Sequence, residues 1–483
     1  MIAKEWKYLI KNLMSFTPTE GQQEAINRFS EFMEHFAEKG KKGIEEKSVF
    51  ILRGSAGTGK TSLARAFVLA AKELRQKVVL LAPTGRAAKV FSSGMSTPAS
   101  TVHRKIYRQE SYLSSSFDIN KNLHSDTLFI IDEASMISTY SLGGEGFGSG
   151  SLLDDIIKYV FSGKHCGMML VGDTAQLPPI GCDDAPALDS AYLSGYGLDI
   201  TDYNLLEVLR QSQDSGILSN AVSLREHLFR DELSQLPVIR FYGFADISIC
   251  HGNSLIESLS SSYGRVGMDE TIVLTRSNKR ANIYNNGIRS QVLDYDSELS
   301  SRDQLMIVKN NYFWTEGEKD GPAFIANGDR CEVRRLRNIR NLYGFRFATA
   351  LLFFPDYEYE LSATVILDTL QSEAPSLTSE EQNRLFNNIL EDYSDLSTKA
   401  ERFRSLKKDE YFNALQIKYA YAVTCHKAQG GQWKHVYVDQ GYVTEEMLTP
   451  SYIRWLYTAF TRASSHLFLV NWPKEQSDVY EEW

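Results

Sequence analysis

The segment Gly54-Ser55-Ala56-Gly57-Thr58-Gly59-Lys60-Thr61 places glycines, a lysine and a hydroxyl at the spacing GxxxxGK[ST]. Glycines in such a loop let successive backbone N–H groups turn toward a phosphate chain, and the start of the following helix adds partial positive charge. Lys60 can then reach β- and γ-phosphates and the Thr61 hydroxyl can bind Mg2+, with Ser62 next along the same stretch. Downstream, Asp132 and Glu133 close the apolar run Leu128-Phe129-Ile130-Ile131. Asp132 at a strand tip can hold Mg2+, and Glu133 can polarise an attacking water. An acidic pair after a strand is common on its own. Beside a phosphate loop it makes hydrolysis of a nucleoside triphosphate the leading chemistry. What that hydrolysis drives stays open at this level: GTPase, kinase, transporter ATPase and helicase all fit.

Such groups need a parallel sheet to hold them. Short, fully apolar runs alternate with helical stretches: Ser48–Leu52, Lys77–Ala82, Leu128–Asp132 and Met168–Val171, then Thr271–Thr275, His435–Val438 and His466–Val470. Strands apolar on both faces imply a parallel sheet covered on both sides by helices. The phosphate loop follows the first of these strands and opens a helical stretch from Thr61, the context its spacing requires. The expected fold is therefore α/β with two domains, the second interrupted between roughly residues 300 and 415. The interruption begins with β-like pieces and turns and continues, over Ser379–Lys408, as charged sequence of helical period, read as a solvated helix. Leu142–Ser151 has the composition of a flexible loop.

Composition bounds the rest. The 483 residues include 52 Lys+Arg and 61 Asp+Glu, a net charge of −9, with 43% hydrophobic and 23% charged residues. Those proportions exclude a disordered, collagen-like or fibrous chain, and the length exceeds one compact core. The five cysteines stand singly without a CxxC pair, so neither a zinc ribbon nor a disulfide framework is indicated. A reducing, cytoplasmic setting fits, with no signal peptide and no membrane span expected. An acidic balance does not exclude nucleic acid, because a local basic groove suffices.

Further motifs follow in order: Thr19-Glu20-Gly21-Gln22, Ala82-Pro83-Thr84-Gly85-Arg86, Ser100-Thr101-Val102-His103 and Val171-Gly172-Asp173-Thr174-Ala175-Gln176. Then come Leu206-Glu207-Val208-Leu209-Arg210-Gln211, Thr424-Cys425-His426-Lys427-Ala428-Gln429-Gly430 and Tyr457-Thr458-Ala459-Phe460-Thr461-Arg462. The series resembles the superfamily 1B DNA helicases, the group of RecD, the phage helicase Dda and the Pif-type enzymes, over about residues 17 to 470. Asp214–Arg225 is loosely similar to the segment after the arginine motif in Pif-type enzymes.

The resemblance implies two RecA-like P-loop motor domains that sandwich ATP, with Mg2+, at their interface. The first carries a short β-hairpin wedge and the second is interrupted by a small β-barrel of the Src-homology-3 type. The implied boundaries are 1–105 and 128–204 for the first motor domain, 106–127 for the hairpin, 205–300 and 416–483 for the second motor domain, and 301–415 for the barrel with its helical segment. Gln22 is implied as the adenine-recognising residue, Gln176 as the γ-phosphate sensor, and Arg210 and Arg462 as arginines reaching the γ-phosphate from the second domain; Gln429 and Gly430 join the nucleotide set. Pro83, Thr84, Thr101 and His103 correspond to single-stranded DNA contacts of the first domain, and Thr424, His426 and Lys427 to those of the second. Taken alone, an arginine in a helix is more often a surface ion-pair partner and a histidine more often structural; the ordered series reverses that weighting.

Tyr107, Tyr112 and Phe117 are candidate wedge residues, the alternative being burial against the first domain. Phe324–Asp329 resembles the barrel's turn-strand signature. After it Arg330, Arg334, Arg335, Arg337, Arg340 and Arg346 fall among Tyr343, Phe345 and Phe347, a pattern that suits either a single-strand channel or a solvated hairpin with one buried aromatic side. The implied partners are single-stranded DNA and forked or tailed duplex, with single-strand-binding protein or recombination subunits as candidate protein partners. The implied activity is 5′→3′ translocation and unwinding by a monomer. A motor subunit of a recombination complex and a protein-displacing DNA-stimulated ATPase are the alternatives.

Overall fold

The computed structural model describes residues 2–478 apart from 15, 45, 94, 96, 110–116, 141–147, 208–213, 230–234, 316–320 and 323. The first domain runs α1 (Ile2–Leu13), α2 (Glu20–Lys42), β1 (Ser48–Gly54), α3 (Lys60–Glu73), β2 (Lys77–Ala82), α4 (Gly85–Ser92), β3 (Ala99–Thr101), α5 (Val102–Ile106), β4 (Tyr107–Gln109), β5 (Phe117–Ile119), β6 (Ser125–Ile131), α6 (Leu152–Phe161), β7 (Lys164–Gly172), α7 (Ser190–Ser194) and β8 (Asp199–Leu205). Six of these strands form one parallel sheet in the order β3-β2-β6-β7-β1-β8. Successive residues of a strand go to opposite faces, and here both faces are buried. Phe50, Leu52, Leu128 and Ile130 pack with Phe29 and Phe67 on one side; Val49, Ile51, Phe129 and Ile131 pack with Ile156 and Val160 on the other. That double burial is why these strands read as unbroken apolar runs.

β4 and β5 form a separate two-stranded hairpin with Tyr107 opposite Ile119 and Gln109 opposite Phe117. Tyr107 does not serve as a wedge. Its ring is buried among Val102, Ile106 and Ile156, and its hydroxyl donates to Asp155 Oδ2 at 2.6 Å, so it anchors the hairpin base to α6. Tyr112 and the Phe117 side chain lie outside the described residues, as does most of the loop 142–151.

The second domain runs α8 (Gly216–Phe229), β9 (Ile247–Cys250), α9 (Leu255–Val266), β10 (Thr271–Thr275), α10 (Asn278–Gly287), β11 (Gln304–Ile307), β12 (Arg330–Leu342), β13 (Phe345–Phe354), β14 (Tyr359–Ile366), α11 (Ser379–Glu391), α12 (Lys399–Lys407), β15 (Leu415–Tyr419), β16 (Ala422–Thr424), β17 (Trp433–Asp439), α13 (Pro450–Phe460) and β18 (Ala463–Val470). A parallel sheet of order β16-β10-β17-β18-β9 is interrupted by a closed barrel of β11 to β15. The fold class is thus two α/β motor domains with a five-stranded barrel set into the second.

The charged segment 379–408 is not one solvated helix. It forms α11 and α12, each opened by a capping box, Thr378 with Glu381 and Thr398 with Glu401. Leu385, Ile389 and Leu406 bury a stripe against Phe345 and Phe347 of the barrel. The interleaved arginines and aromatics divide by face. Phe345 and Phe347 point inward, Arg335, Arg337 and Arg340 are exposed, and Arg346 pairs with Glu298 and Asp368. Among the described residues no helix is long and apolar enough to cross a membrane.

Candidate nucleotide site at the interdomain cleft

β1 delivers the chain to Gly54, and α3 begins at Lys60. Gly57 and Gly59 take φ of 77° and 78°, the left-handed region that favours glycine. At Gly54 a Cβ would stand 2.8 Å from Thr58 Oγ1 and 2.9 Å from Leu205 Cβ, so the loop closes on itself only without a side chain there. Lys60 Nζ donates to the Ser55 carbonyl at 3.0 Å and lies 3.9 Å from Asp173 Oδ2. Thr61 and Ser62 occupy the first turn of α3, Thr61 half-buried and Ser62 exposed.

Gln22 supports this loop from behind. It is the third residue of α2 and completes a capping box with Thr19, its Oε1 accepting from the Thr19 N–H at 3.1 Å. Its Nε2 donates to the Thr58 carbonyl at 2.9 Å. Both ends of the amide are therefore used inside the protein, in a buried position.

Asp132 follows β6 directly. It is buried, and its carboxyl is pushed up to about 7, by burial first and by the neighbouring Glu133 charge second. Glu133 adopts φ of 52°, and its N–H donates to Asp132 Oδ1 at 2.9 Å. A non-glycine residue in the left-handed region is the kind of backbone strain that functional sites hold. Asp173, at the end of β7, is buried and accepts from the Ala175 N–H at 3.0 Å. Gln176 Oε1 and Ser135 Oγ are buried without a partner. A lysine at a loop of glycines, a buried carboxylate beside a second carboxylate and an orphaned carboxamide together fit a phosphate chain with its divalent ion.

The second domain closes over this loop. Tyr457 of α13 accepts from the Ala56 N–H at 2.7 Å and donates to Asp173 Oδ2 at 2.6 Å. Arg225 of α8 reaches Ser55 Oγ at 3.3 Å. Thr458 Oγ1 accepts from the Leu177 N–H at 2.8 Å, Gln429 Nε2 donates to the Leu177 carbonyl at 2.6 Å, and Arg454 donates to the Thr174 carbonyl at 3.0 Å. Arg462 is buried and turned inward, bonded to the Thr458 and Gly431 carbonyls at 3.1 Å each and to Thr461 Oγ1 at 3.2 Å. Arg210 lies outside the described residues.

The residues matched to strand contacts cluster at the C-terminal ends of β2, β3 and β16. Thr84 caps α4 through the Ala87 N–H at 3.2 Å, and Thr101 caps α5 through the Arg104 N–H at 3.3 Å. Burial pulls His103 down to about 4 and Lys427 down to about 8, and lowers His426. His103 is thus a neutral hydrogen-bonding group near pH 7. Pro83 and Thr424 are half-buried beside them. Gly430 joins the two patches: a Cβ there would stand 3.0 Å from Ala87 Cβ and 3.1 Å from Thr84 Oγ1. Arg86 adds a bond to the Gln432 carbonyl at 2.5 Å and stacks over the Trp433 ring at 4.3 Å. On the barrel side, Lys89 donates to the Pro355 carbonyl at 2.7 Å.

Tyr457, Asp173, Arg225 and Arg86 were passed over by reasoning from sequence. All four lie inside or beside the motif segments, but nothing local marks a tyrosine as a loop ligand.

An AAA-domain family model matches residues 40–236, and a UvrD-like helicase C-terminal domain model matches residues 419–470. The two matches fall on the two sides of the cleft and carry the ordered motifs with them. In these two matches and in its ordered motifs the chain is similar to the superfamily 1B helicases. A stretch covering 29% of the chain is 30% identical over 159 residues to the ATP-dependent RecD2 DNA helicase of Deinococcus radiodurans, of which it spans 19%. An uncharacterized protein of Methanocaldococcus jannaschii is 23% identical over 87% of the chain, which spans only 36% of that relative's length. A Pif1 helicase from Bacteroides, in complex with ADP-AlF3 and ssDNA, has a TM-score of 0.46 and 15% identity over 97% of this chain and 95% of that one.

Proposed function

We propose that this chain is an ATP-dependent DNA helicase that moves 5′→3′ along single-stranded DNA and separates duplex ahead of it. The observation that carries the reading is the shared cleft. The phosphate loop of one domain is touched by Tyr457 and Arg225 of the other, while both strand-contact patches meet beside it at Gly430. A ligand bound in that cleft changes the relation of the two patches, which is what a translocating motor needs.

In this reading Lys60 and the loop amides bind the triphosphate, and Glu133 orients and deprotonates the attacking water. Thr61 and Asp132 would hold Mg2+, which would supply charge neutralisation to the triphosphate. Gln176, with its carboxamide in the buried cleft, reports the γ-phosphate. Arg462 must exchange its three own-domain acceptors for phosphate oxygens, so the arginine engages only when the cleft rearranges. Arg210 is the second such arginine by motif position. Hydroxyls and backbone amides of Thr84, Thr101 and Thr424, with His103, His426 and Lys427, contact the strand without reading its sequence. The 5′→3′ direction rests on the family resemblance, as does action as a monomer on forked or tailed DNA.

The test is ATP-dependent strand separation on two partial duplexes, one with a 5′ tail and one with a 3′ tail. Unwinding confined to the 5′-tailed substrate is the expected result. Unwinding confined to the 3′-tailed one overturns the direction. DNA-stimulated ATPase with neither substrate unwound replaces the proposal with a motor subunit or a protein-displacing ATPase.

A further inference from the structure

β12 and β13 are neighbours in the barrel wall, and residues directly opposed across such a pair share a face. Ala348, Ala350 and Leu352 of β13 fill the barrel interior together with Val333. The other face of β13 carries Leu351, Thr349 and, buried under α11 and α12, Phe347. Two bulges in β12 decide which of its arginines join that outer face. Val333 stands opposite Leu352, yet Arg335 stands opposite Leu351, so one extra residue intervenes. A second extra residue lies between Arg337, opposite Thr349, and Arg340, opposite Phe347; Asn338 within this stretch takes φ of 53°. In an unbroken strand Arg335 would follow Val333 into the interior, and Arg340 would fall on the face away from Arg337. The bulges re-aim both, so Arg335, Arg337 and Arg340 stand in one outward row, all exposed. Each step of the row spans two residues of β13, about 6.8 Å.

Resting on the helicase reading above, we infer that this outer face of β12 docks the duplex adjoining the single strand held at the cleft, with Arg335, Arg337 and Arg340 gripping its phosphate backbone. The charge of the row is unmet. Arg334 beside it pairs with Glu332 at 2.7 Å, whereas Arg335 and Arg337 have no ion-pair partner among the described residues and Arg340 gives only a bond to the Tyr411 hydroxyl at 3.1 Å. In a chain of net charge −9, a row of guanidiniums kept in step by two bulges suits a polyanion. Each strand of a duplex presents one phosphate per about 3.4 Å of axis, so the row keeps step with every second phosphate. A single strand would bring unstacked bases, which bind on bare aromatic rings. Here Phe347 is buried, Phe353 lies beneath the Arg334 guanidinium at 4.6 Å and Tyr343 is bonded to Asp392. The row is also continuous with the strand-contact patches. β12 begins at Arg330, whose guanidinium lies 5.8 Å from the centre of the Trp433 ring on which Arg86 stacks.

The experiment measures equilibrium binding of the full chain to a duplex with a 5′ tail and to the tail strand alone, across a salt series. The parent is compared with a variant combining Arg335→Gln, Arg337→Gln and Arg340→Gln. On the tailed duplex the slope of log affinity against log salt is expected to shrink by about 2.7, roughly 0.9 for each phosphate no longer neutralised. Low-salt affinity for it should fall about tenfold. On the tail alone, slope, affinity and stimulated ATPase stay as in the parent. Equal losses on the two substrates overturn the inference in favour of a single-strand contact. Unchanged binding of both, in a variant that melts like the parent, overturns it in favour of a solvated face. Arg337→Gln by itself leaves both bulges and the Tyr411 bond in place and should shrink the tailed-duplex slope by about 0.9; an unaltered slope there counts equally against the row. Failure of the parent chain to bind either DNA overturns the helicase reading itself.

Discussion

Gln22→Met tests whether the residue matched to adenine recognition also braces the phosphate loop. Gln22 is 1% exposed; its Nε2 donates to the Thr58 carbonyl at 2.9 Å and its Oε1 accepts from the Thr19 N–H at 3.1 Å. Methionine keeps the length, the helix propensity and the volume of the side chain but makes neither bond. Thr58 is itself fully buried, so its carbonyl loses its partner at a cost of about 1–3 kcal/mol. Half of a capping box disappears as well, worth about 0.5–1 kcal/mol. The sum is about 2–4 kcal/mol. At about 2–4 °C per kcal/mol for a domain of this size, the first domain should melt roughly 4–16 °C lower. The assay is thermal unfolding followed by circular dichroism without nucleotide, paired with affinities for ATP and GTP. A melting temperature within about 2 °C of the parent refutes the bracing argument. If the preference for ATP over GTP then also vanishes, Gln22 acts on the base alone.

The remaining predictions concern the loop lysine and the barrel. Lys60→Ala removes the cation of the phosphate loop and a bond to one carbonyl; ATPase should fall at least about a hundredfold while the melting temperature changes little, and persistent ATPase in the folded variant refutes the site. Asp329, buried in the barrel turn and bonded by the Tyr357 hydroxyl at 3.0 Å, has its carboxyl raised by burial to about 7. A folded-state value above the unfolded one means that stability is full below the unfolded value of about 4 and is lost as pH rises through about 7. Asp329→Asn cannot ionise. Its stability relative to the parent should therefore improve between about pH 4 and 7 and level off above that, as measured by thermal melts across about pH 4 to 8, and a constant gap refutes the burial argument.

Much of the fold was legible because both faces of the central strands are buried. β2 and β10 begin and end where their apolar runs do, Lys77–Ala82 and Thr271–Thr275. Three of the strands that escaped notice are short or half-exposed. β3 and β16 have three residues each, and β8 is an edge strand, Asp199–Leu205, whose side chains are mostly partly exposed. Pattern reasoning has too few residues in the first two and too little contrast in the third. The charged segment after residue 379 hid a buried stripe for a related reason: Leu385, Ile389 and Leu406 are spread over two short helices, so neither alone shows a strong apolar face. Tyr107 illustrates the converse. An aromatic at the base of a hairpin looks like a wedge until its hydroxyl finds Asp155, 48 residues away.

The phosphate loop, the strand-tip carboxylates and the order of the motifs are local properties. Glycines at fixed positions permit the left-handed turns of Gly57 and Gly59, and an apolar strand before them fixes where the loop must stand. The sequence therefore determined what chemistry is present and on which elements it rides. Which side chains meet across the cleft is a different matter. Tyr457 is 401 residues from Ala56 and Arg225 is 170 from Ser55, so these contacts depend on how two separately folded sheets come together. No periodicity or spacing rule reaches that far, because each such rule describes neighbours along one helix or strand. The tertiary structure alone decided that a tyrosine hydroxyl takes a phosphate-loop amide, that Gln22 turns its amide inward, and that Arg462 lies bonded to its own domain, since each outcome is a competition among hydrogen-bond partners brought together only by folding.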